Sequence, residues 1–253
     1  MAIGPDLEIR YGMEVLHIAD VYLPPSPSLG LVILLHGGFW RTKYDRTHLR
    51  PLARALAENG FSVALPEYRR IGDEGGGHPG TFDDIELAVA VLPRLVNALI
   101  PDVHRVARVA VVGHSAGGQL ALWSQRARRS GGEVSRVVDR VVSLAGVLDM
   151  AEARRLHLSS DAVAELLNES APGFCERLAA ADPMRLAIPD HATTRTVLLH
   201  GTKDTAVPVD FSRAYAVRDA SIEFHELPQA GHYELIDPQS DVFPVLLGVL
   251  QRS

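Results

Sequence analysis

Val109-Ala110-Val111-Val112-Gly113-His114-Ser115-Ala116-Gly117-Gly118 decides the reading of this chain. Four apolar residues run into Gly-x-Ser-x-Gly, and Gln119-Leu120-Ala121-Leu122-Trp123 continues in a helical pattern. This predicts a buried strand, a sharp turn and a helix, with Ser115 at the apex of the turn. A neutral serine hydroxyl is a poor nucleophile, so a catalytic one must be lifted out of the sheet edge toward a base and a substrate. Glycine on both sides permits that turn, because no Cβ blocks the close approach of the backbone. The N-terminus of the following helix would help to hold a developing oxyanion, with Ala116 supplying an N–H donor. Gly-x-Ser-x-Gly alone is a weak signal, and its place between strand and helix gives it weight.

A serine nucleophile needs a base within hydrogen-bond reach and an acid that orients the base. Downstream, Thr196-Val197-Leu198-Leu199-His200-Gly201-Thr202-Lys203-Asp204 reads as a strand followed by a turn that carries a carboxylate. Glu223-Phe224-His225-Glu226-Leu227-Pro228-Gln229-Ala230-Gly231-His232 reads as a strand followed by a loop that carries an imidazole. The order serine, acid, histidine therefore assigns Ser115, Asp204 and His232 as nucleophile, acid and base. Asp149 is the main rival for the acid, because it also follows a strand. Asp237 fits less well, since it comes after the histidine. His200 and His225 lie inside apparent strands and read as packed or exposed side chains. His114 adjoins the nucleophile and is kept as a pocket residue, its ring expected to point away from Ser115.

Upstream, the apolar run Leu31–Leu35 leads into His36-Gly37-Gly38-Phe39-Trp40. Glycines after a strand let backbone N–H groups face a tetrahedral oxyanion, so Gly38 and Phe39 join Ala116 as expected oxyanion donors. Trp40, with Tyr68 from Glu67-Tyr68-Arg69-Arg70, is assigned to the substrate pocket; a plain core role suits the aromatics of the glycine motif equally well.

The rest of the chain alternates short β-branched runs with longer helical patterns. That rhythm predicts an α/β domain with a mostly parallel central sheet covered by helices on both faces. Strands are expected at Glu14–Leu23, Leu31–Leu35, Phe61–Leu65, Ala107–Val112, Val137–Leu144, Thr196–His200 and Ile222–Leu227. Helices are expected at Leu49–Glu58, Phe82–Ala98 and Asp241–Leu250, the first stopping at Asn59-Gly60. Residues 148–190 break the rhythm, being helical and polar without a strand. A connection this long suggests a small helical cap inserted in a single domain spanning 1–253, the alternative being an ordinary crossover. The loop from Arg70 to Thr81, with Gly75-Gly76-Gly77, is either an active-site rim or a flexible connection.

The chain has 253 residues, of which 47% are hydrophobic and 22% charged, enough for a sizeable core. Its net charge of −6 argues against a nucleic-acid partner. One cysteine, Cys175, leaves no intramolecular disulfide and no cysteine-cluster metal site. No apolar run reaches the roughly 18 residues of a membrane span, and the acidic, proline-interrupted start is unlike a secretory signal. The expectation is a cytoplasmic protein with no membrane partner, no metal and no cofactor; a homodimer is left open.

Together these segments resemble the α/β-hydrolase superfamily from Glu14 to Leu250. The glycine motif ending in Trp40 and the Gly-His-Ser-Ala-Gly elbow are similar to the esterase, arylformamidase and prolyl-oligopeptidase-like branch, kynurenine formamidases in particular. Glu67-Tyr68-Arg69-Arg70 also looks like a segment of that neighbourhood. Hormone-sensitive-lipase-type esterases usually show glycine where Phe39 stands and aspartate where His114 stands. The chain is also too short for the propeller of a full prolyl oligopeptidase. The resemblance implies hydrolysis of a small carboxylic ester or an N-formyl aryl amide through an acyl-enzyme, without cofactor. Acyl transfer, thioester cleavage and cleavage of small-peptide or aminoacyl amides would use the same residues. A ligand-binding protein that kept the fold without catalysis is the remaining reading.

Overall fold

The computed structural model describes residues 4–104, 108–125, 138–188 and 193–252. Its strands are β1 (Leu7–Arg10), β2 (Ile18–Tyr22), β3 (Leu31–Leu35), β4 (Ser62–Pro66), β5 (Val109–His114), β6 (Val138–Leu144), β7 (Arg195–Gly201) and β8 (Glu223–Leu227). They form one sheet in the order β1-β2-β4-β3-β5-β6-β7-β8. Pairing is antiparallel from β1 to β2 and from β2 to β4, and parallel from β4 through β8. The helices are α1 (Arg50–Glu58), α2 (Gly80–Leu99), α3 (Ala116–Ser124), α4 (Met150–Arg155), α5 (Ala162–Leu166), α6 (Phe174–Ala181), α7 (Asp210–Ala216) and α8 (Phe243–Gln251).

All five residues of β3 are buried, as a parallel strand covered on both faces requires. Leu31, Ile33 and Leu35 face a core shared with Ile85, Val89 and Leu92 of α2 and Leu120 of α3. Val32 and Leu34 face the opposite core, with Leu52 and Leu56 of α1 and Leu246 and Val249 of α8. The same period-two split recurs in β5, in β7 and in β6 from Val141 onward. Complete burial of a Val, Leu or Ile side chain contributes roughly 1.5–3 kcal/mol. An exposed ion pair contributes about 0–1 kcal/mol, so these two cores, rather than the surface charges, hold the sheet.

Element boundaries follow local chemistry. Pro51 sits in the first turn of α1, where its missing N–H costs nothing. The helix stops at Asn59-Gly60, with the Gly60 N–H donating to Ala57 O at 3.0 Å. The early strand expected at Glu14–Leu23 is shorter in the structure, because residues before Ile18 turn back on themselves with His17 N–H donating to Glu14 O. Strand β1 was not expected at all. Only Ile9 of its four residues is buried, so the period-two signal is too thin to see.

Between β6 and β7 the chain forms the short helices α4, α5 and α6. This segment is tied back to the region after β3 by Arg41, which pairs with Glu165 and donates to the Ser159 and Ser160 carbonyls, both at 3.1 Å. Ala107 and Val137, expected to open β5 and β6, lie outside the described residues, as does the end of the expected 148–190 insertion. Among the described residues, no helix is long and apolar enough to cross a membrane.

Candidate active site

Strand β5 ends at His114 and α3 begins at Ala116, leaving Ser115 between them at φ 57°, ψ −118°. That backbone is strained for any residue with a Cβ. It is held by the Ser115 N–H donating to Leu144 O of β6 at 2.8 Å, and by Ser115 O accepting from Gly118 N–H at 2.9 Å. A Cβ on Gly113 would stand 2.0 Å from Gly117 O, and one on Gly117 would stand 2.2 Å from Leu35 O. The flanking glycines are therefore required by close packing of the turn against itself and against β3.

Asp204 follows β7 with its carboxylate fully buried, and His232 follows β8. His232 Nδ1–H donates to Asp204 Oδ2 at 2.6 Å. A neutral ring so bonded keeps its lone pair on Nε2, which is the tautomer a general base requires. Asp204 Oδ1 accepts the backbone N–H groups of Ala206 and Val207, each at 2.8 Å. Burial by itself pushes the Asp204 carboxyl up, but hydrogen bonds from His200 and His232 outweigh it and hold the group well below the usual carboxylate range. Asp204 is thus a fixed anion at any working pH. Asp149, its rival, caps α4 by accepting from Glu152 N–H at 2.8 Å.

Ser115 and His232 share the wall of a cavity of about 490 Å³. No hydrogen bond joins Ser115 Oγ to the His232 ring among the described residues, and such contacts often tighten only when substrate binds. Gly38, Phe39 and His114 line the same cavity, together with Arg41, Lys43, Tyr44, His48 and Tyr233. His114 Nε2–H donates to the His232 carbonyl at 3.0 Å, with the two ring centres 4.5 Å apart. Burial, then the nearby His232 charge, pushes the His114 ring well below the ordinary histidine value, so it stays neutral. Burial, then the His36 charge, likewise lowers His48.

Gly38, Phe39 and Trp40 all have positive φ, at 106°, 49° and 57°. Such a backbone costs about 1–3 kcal/mol at each non-glycine position, so surrounding structure must over-determine it. The segment after β4 does this along its whole length. Tyr68 Oη donates to His36 O at 2.7 Å, Ile71 N–H to Trp40 O at 2.7 Å, Thr42 N–H to Ile71 O at 3.1 Å, and Arg70 Nη1 to Tyr44 O at 2.6 Å. The His36 ring donates from Nε2 to Glu67 Oε1 at 2.9 Å and stacks on Tyr68 at 4.2 Å. Among the described residues, the N–H groups of Gly38, Phe39 and Ala116 make no backbone hydrogen bond in a turn or loop.

Trp40 and Tyr68, assigned to the pocket from sequence, sit elsewhere. Trp40 is fully buried and donates from Nε1 to Gln119 Oε1 at 3.1 Å, behind the cavity wall. Tyr68 is fully buried beneath His36. Tyr44, His48 and Tyr233 take the wall instead. Their signal was faint, being only proximity to the glycine motif and to His232. Among the described residues, no group of three or more His, Cys, Asp or Glu side chains could hold a metal ion.

A Gly38 Cβ would meet Tyr44 Cβ at 2.5 Å while the backbone stayed in the left-handed region. Gly38→Ala should therefore shift the loop and, with Gly38 an expected oxyanion donor, lower kcat by about 10²–10³, the equivalent of roughly 2.7–4 kcal/mol. Steady-state kinetics with KM monitored separately would check it.

The sheet order and the strand–serine–helix turn define an α/β-hydrolase fold. Esterase B from Lactobacillus rhamnosis shares it, with a TM-score of 0.77 and 18% identity over 96% of this chain and 82% of that one. The chain belongs to the BD-FAE family, whose model matches residues 19–218. It is 28% identical to a kynurenine formamidase of Danio rerio over 57% of this chain and 46% of that protein. It is 27% identical to a probable isoprenylcysteine alpha-carbonyl methylesterase of Oryza sativa subsp. japonica, over 82% of this chain and 52% of the relative. The chain thus spans about half the length of these curated relatives.

Proposed function

We propose that this chain is a serine hydrolase that cleaves a small carboxylic ester or N-formyl aryl amide through an acyl-enzyme. The observation that carries the reading is the 2.6 Å bond from His232 Nδ1 to the buried Asp204 carboxylate, with Ser115 on the same cavity wall. The names of the formamidase and methylesterase relatives agree with it. Ser115 Oγ attacks the carbonyl carbon while His232 Nε2 takes its proton. The resulting oxyanion is met by the N–H groups of Gly38, Phe39 and Ala116, aided by the positive end of α3. His232 then passes the proton to the leaving alkoxide or arylamine nitrogen, and the tetrahedral species collapses to an ester on Ser115. Water, deprotonated by His232, releases the acid and restores the serine.

A cavity of about 490 Å³ suits a small or medium substrate. Phe39, Tyr44 and Tyr233 supply aromatic surface, and the described part of the 148–190 insertion acts as a cap that contributes Ser159 to the wall. The test is covalent labelling with a fluorophosphonate probe. One adduct per chain, mapped by mass spectrometry to the peptide holding Ser115, is expected. A folded protein left unlabelled, or labelled elsewhere, would overturn the reading.

A further inference from the structure

His200, whose place inside an apparent strand predicts a packed or exposed side chain, stands at the end of β7. It is fully buried. Its Nε2 lies 3.0 Å from Val207 O and 3.3 Å from Asp204 Oδ2, while its Nδ1 lies 2.8 Å from Ser212 Oγ. Val207 O can only accept, so Nε2 carries a proton, and the Ser212 hydroxyl is placed to donate to Nδ1. Packing thereby aims the Nε2–H at the edge shared by a carbonyl and the Asp204 carboxylate. Oδ2 of that carboxylate is the same oxygen that receives His232 Nδ1–H.

We propose that His200 is a positioning residue that acts through Asp204, holding Oδ2 in line with His232 and limiting how strongly that oxygen stabilises the His232 cation. The proposal rests on the serine-hydrolase reading of the site. Two imidazole N–H groups share Oδ2, and two backbone N–H groups occupy Oδ1. Each donor draws negative charge from the carboxylate. A carboxylate so engaged is a weaker partner for an imidazolium than one with fewer donors.

The other polar groups facing His232 leave this argument standing. His114, from β5, is neutral and bonds the His232 carbonyl rather than its ring. Tyr233, on the same loop, meets the ring edge-on at 5.3 Å. Ser115, Arg41, Lys43, Tyr44 and His48 share the cavity, and Glu234 follows on the same segment. None of these contacts Oδ2.

The experiment compares wild type with His200→Leu in pH profiles of kcat/KM on 4-nitrophenyl acetate. Alongside, the His232 ring is titrated by NMR in both proteins without substrate. Removing the Nε2–H should move the acid limb and the NMR midpoint together to higher pH, by about half a unit or more. Should His200→Leu fail to fold, Ser212→Ala releases the ring from its Nδ1 partner, and a smaller shift in the same direction is expected. A uniform fall in kcat with the limb and the midpoint unmoved would make His200 merely structural and overturn the proposal. Failure of the underlying hydrolase reading would show separately, as a wild type without turnover, while the NMR midpoints still report on His200.

Discussion

Ser115→Ala should lower kcat on a small aryl ester by about 10⁶-fold while leaving the thermal midpoint within a few degrees of wild type. Deleting the nucleophile of a serine triad removes on the order of 10⁶ in kcat, and the residual rate reflects the oxyanion donors and binding alone. The structure predicts little cost in stability. The hydrogen bonds that hold the elbow use the Ser115 backbone N–H and carbonyl, which alanine keeps. Alanine also tolerates the positive φ no worse than serine does. Kinetics on highly purified variant protein, set beside a thermal melt, checks both halves of the expectation. Turnover at the wild-type rate would dismiss covalent serine chemistry at this site.

Asp204→Asn should cost about 10⁴ in kcat near neutral pH, the magnitude expected when the acid of such a triad becomes an amide. An asparagine can turn its NH₂ toward His232 Nδ1, which then accepts and leaves the proton on Nε2. The base is lost although every ring stays in place. A carboxylate held below its ordinary range also stabilises the fold. That contribution is complete above the unfolded carboxyl value of about 3.9 and is lost as pH falls toward the depressed folded value. Acid unfolding of wild type should therefore carry a share from Asp204 that the asparagine variant lacks, visible as a shallower loss of stability below about pH 4.

The places of the parallel strands and the order of the three catalytic candidates were legible because they rest on local pattern. β3, β5 and β7 are covered on both faces and read as unbroken apolar runs, while Asp204 and His232 each follow such a run or its edge neighbour. The expected Phe82–Ala98 helix falls inside α2, since apolar spacing extends through Ile85, Val89 and Leu92. What could not be read depends on partners distant in sequence. Trp40 reads as a pocket residue because an aromatic beside a glycine motif suits both a cavity and a core. Only Gln119, 79 positions away, decides for Trp40. His200 looked like one more strand residue, because its relation to Asp204 depends on how the turn after β7 folds back.

The exposure of β8 has a consequence for how the protein fails. Among the described residues, this strand is the sheet's last, pairs only with β7 and is nowhere fully buried, yet the loop after it carries His232. Ser115 and Asp204 hang from β5 and β7, inside the sheet. Under mild denaturant the rim should fray first, as weakly protected elements open at lower free energy than the centre. The imidazole would leave its place while the rest of the sheet stayed intact. Catalysis would then fade ahead of the far-ultraviolet signal, and amide exchange in Glu223–Leu227 would outpace that in β5 and β7. Turnover would be an early gauge of damage in a molecule that still looks folded.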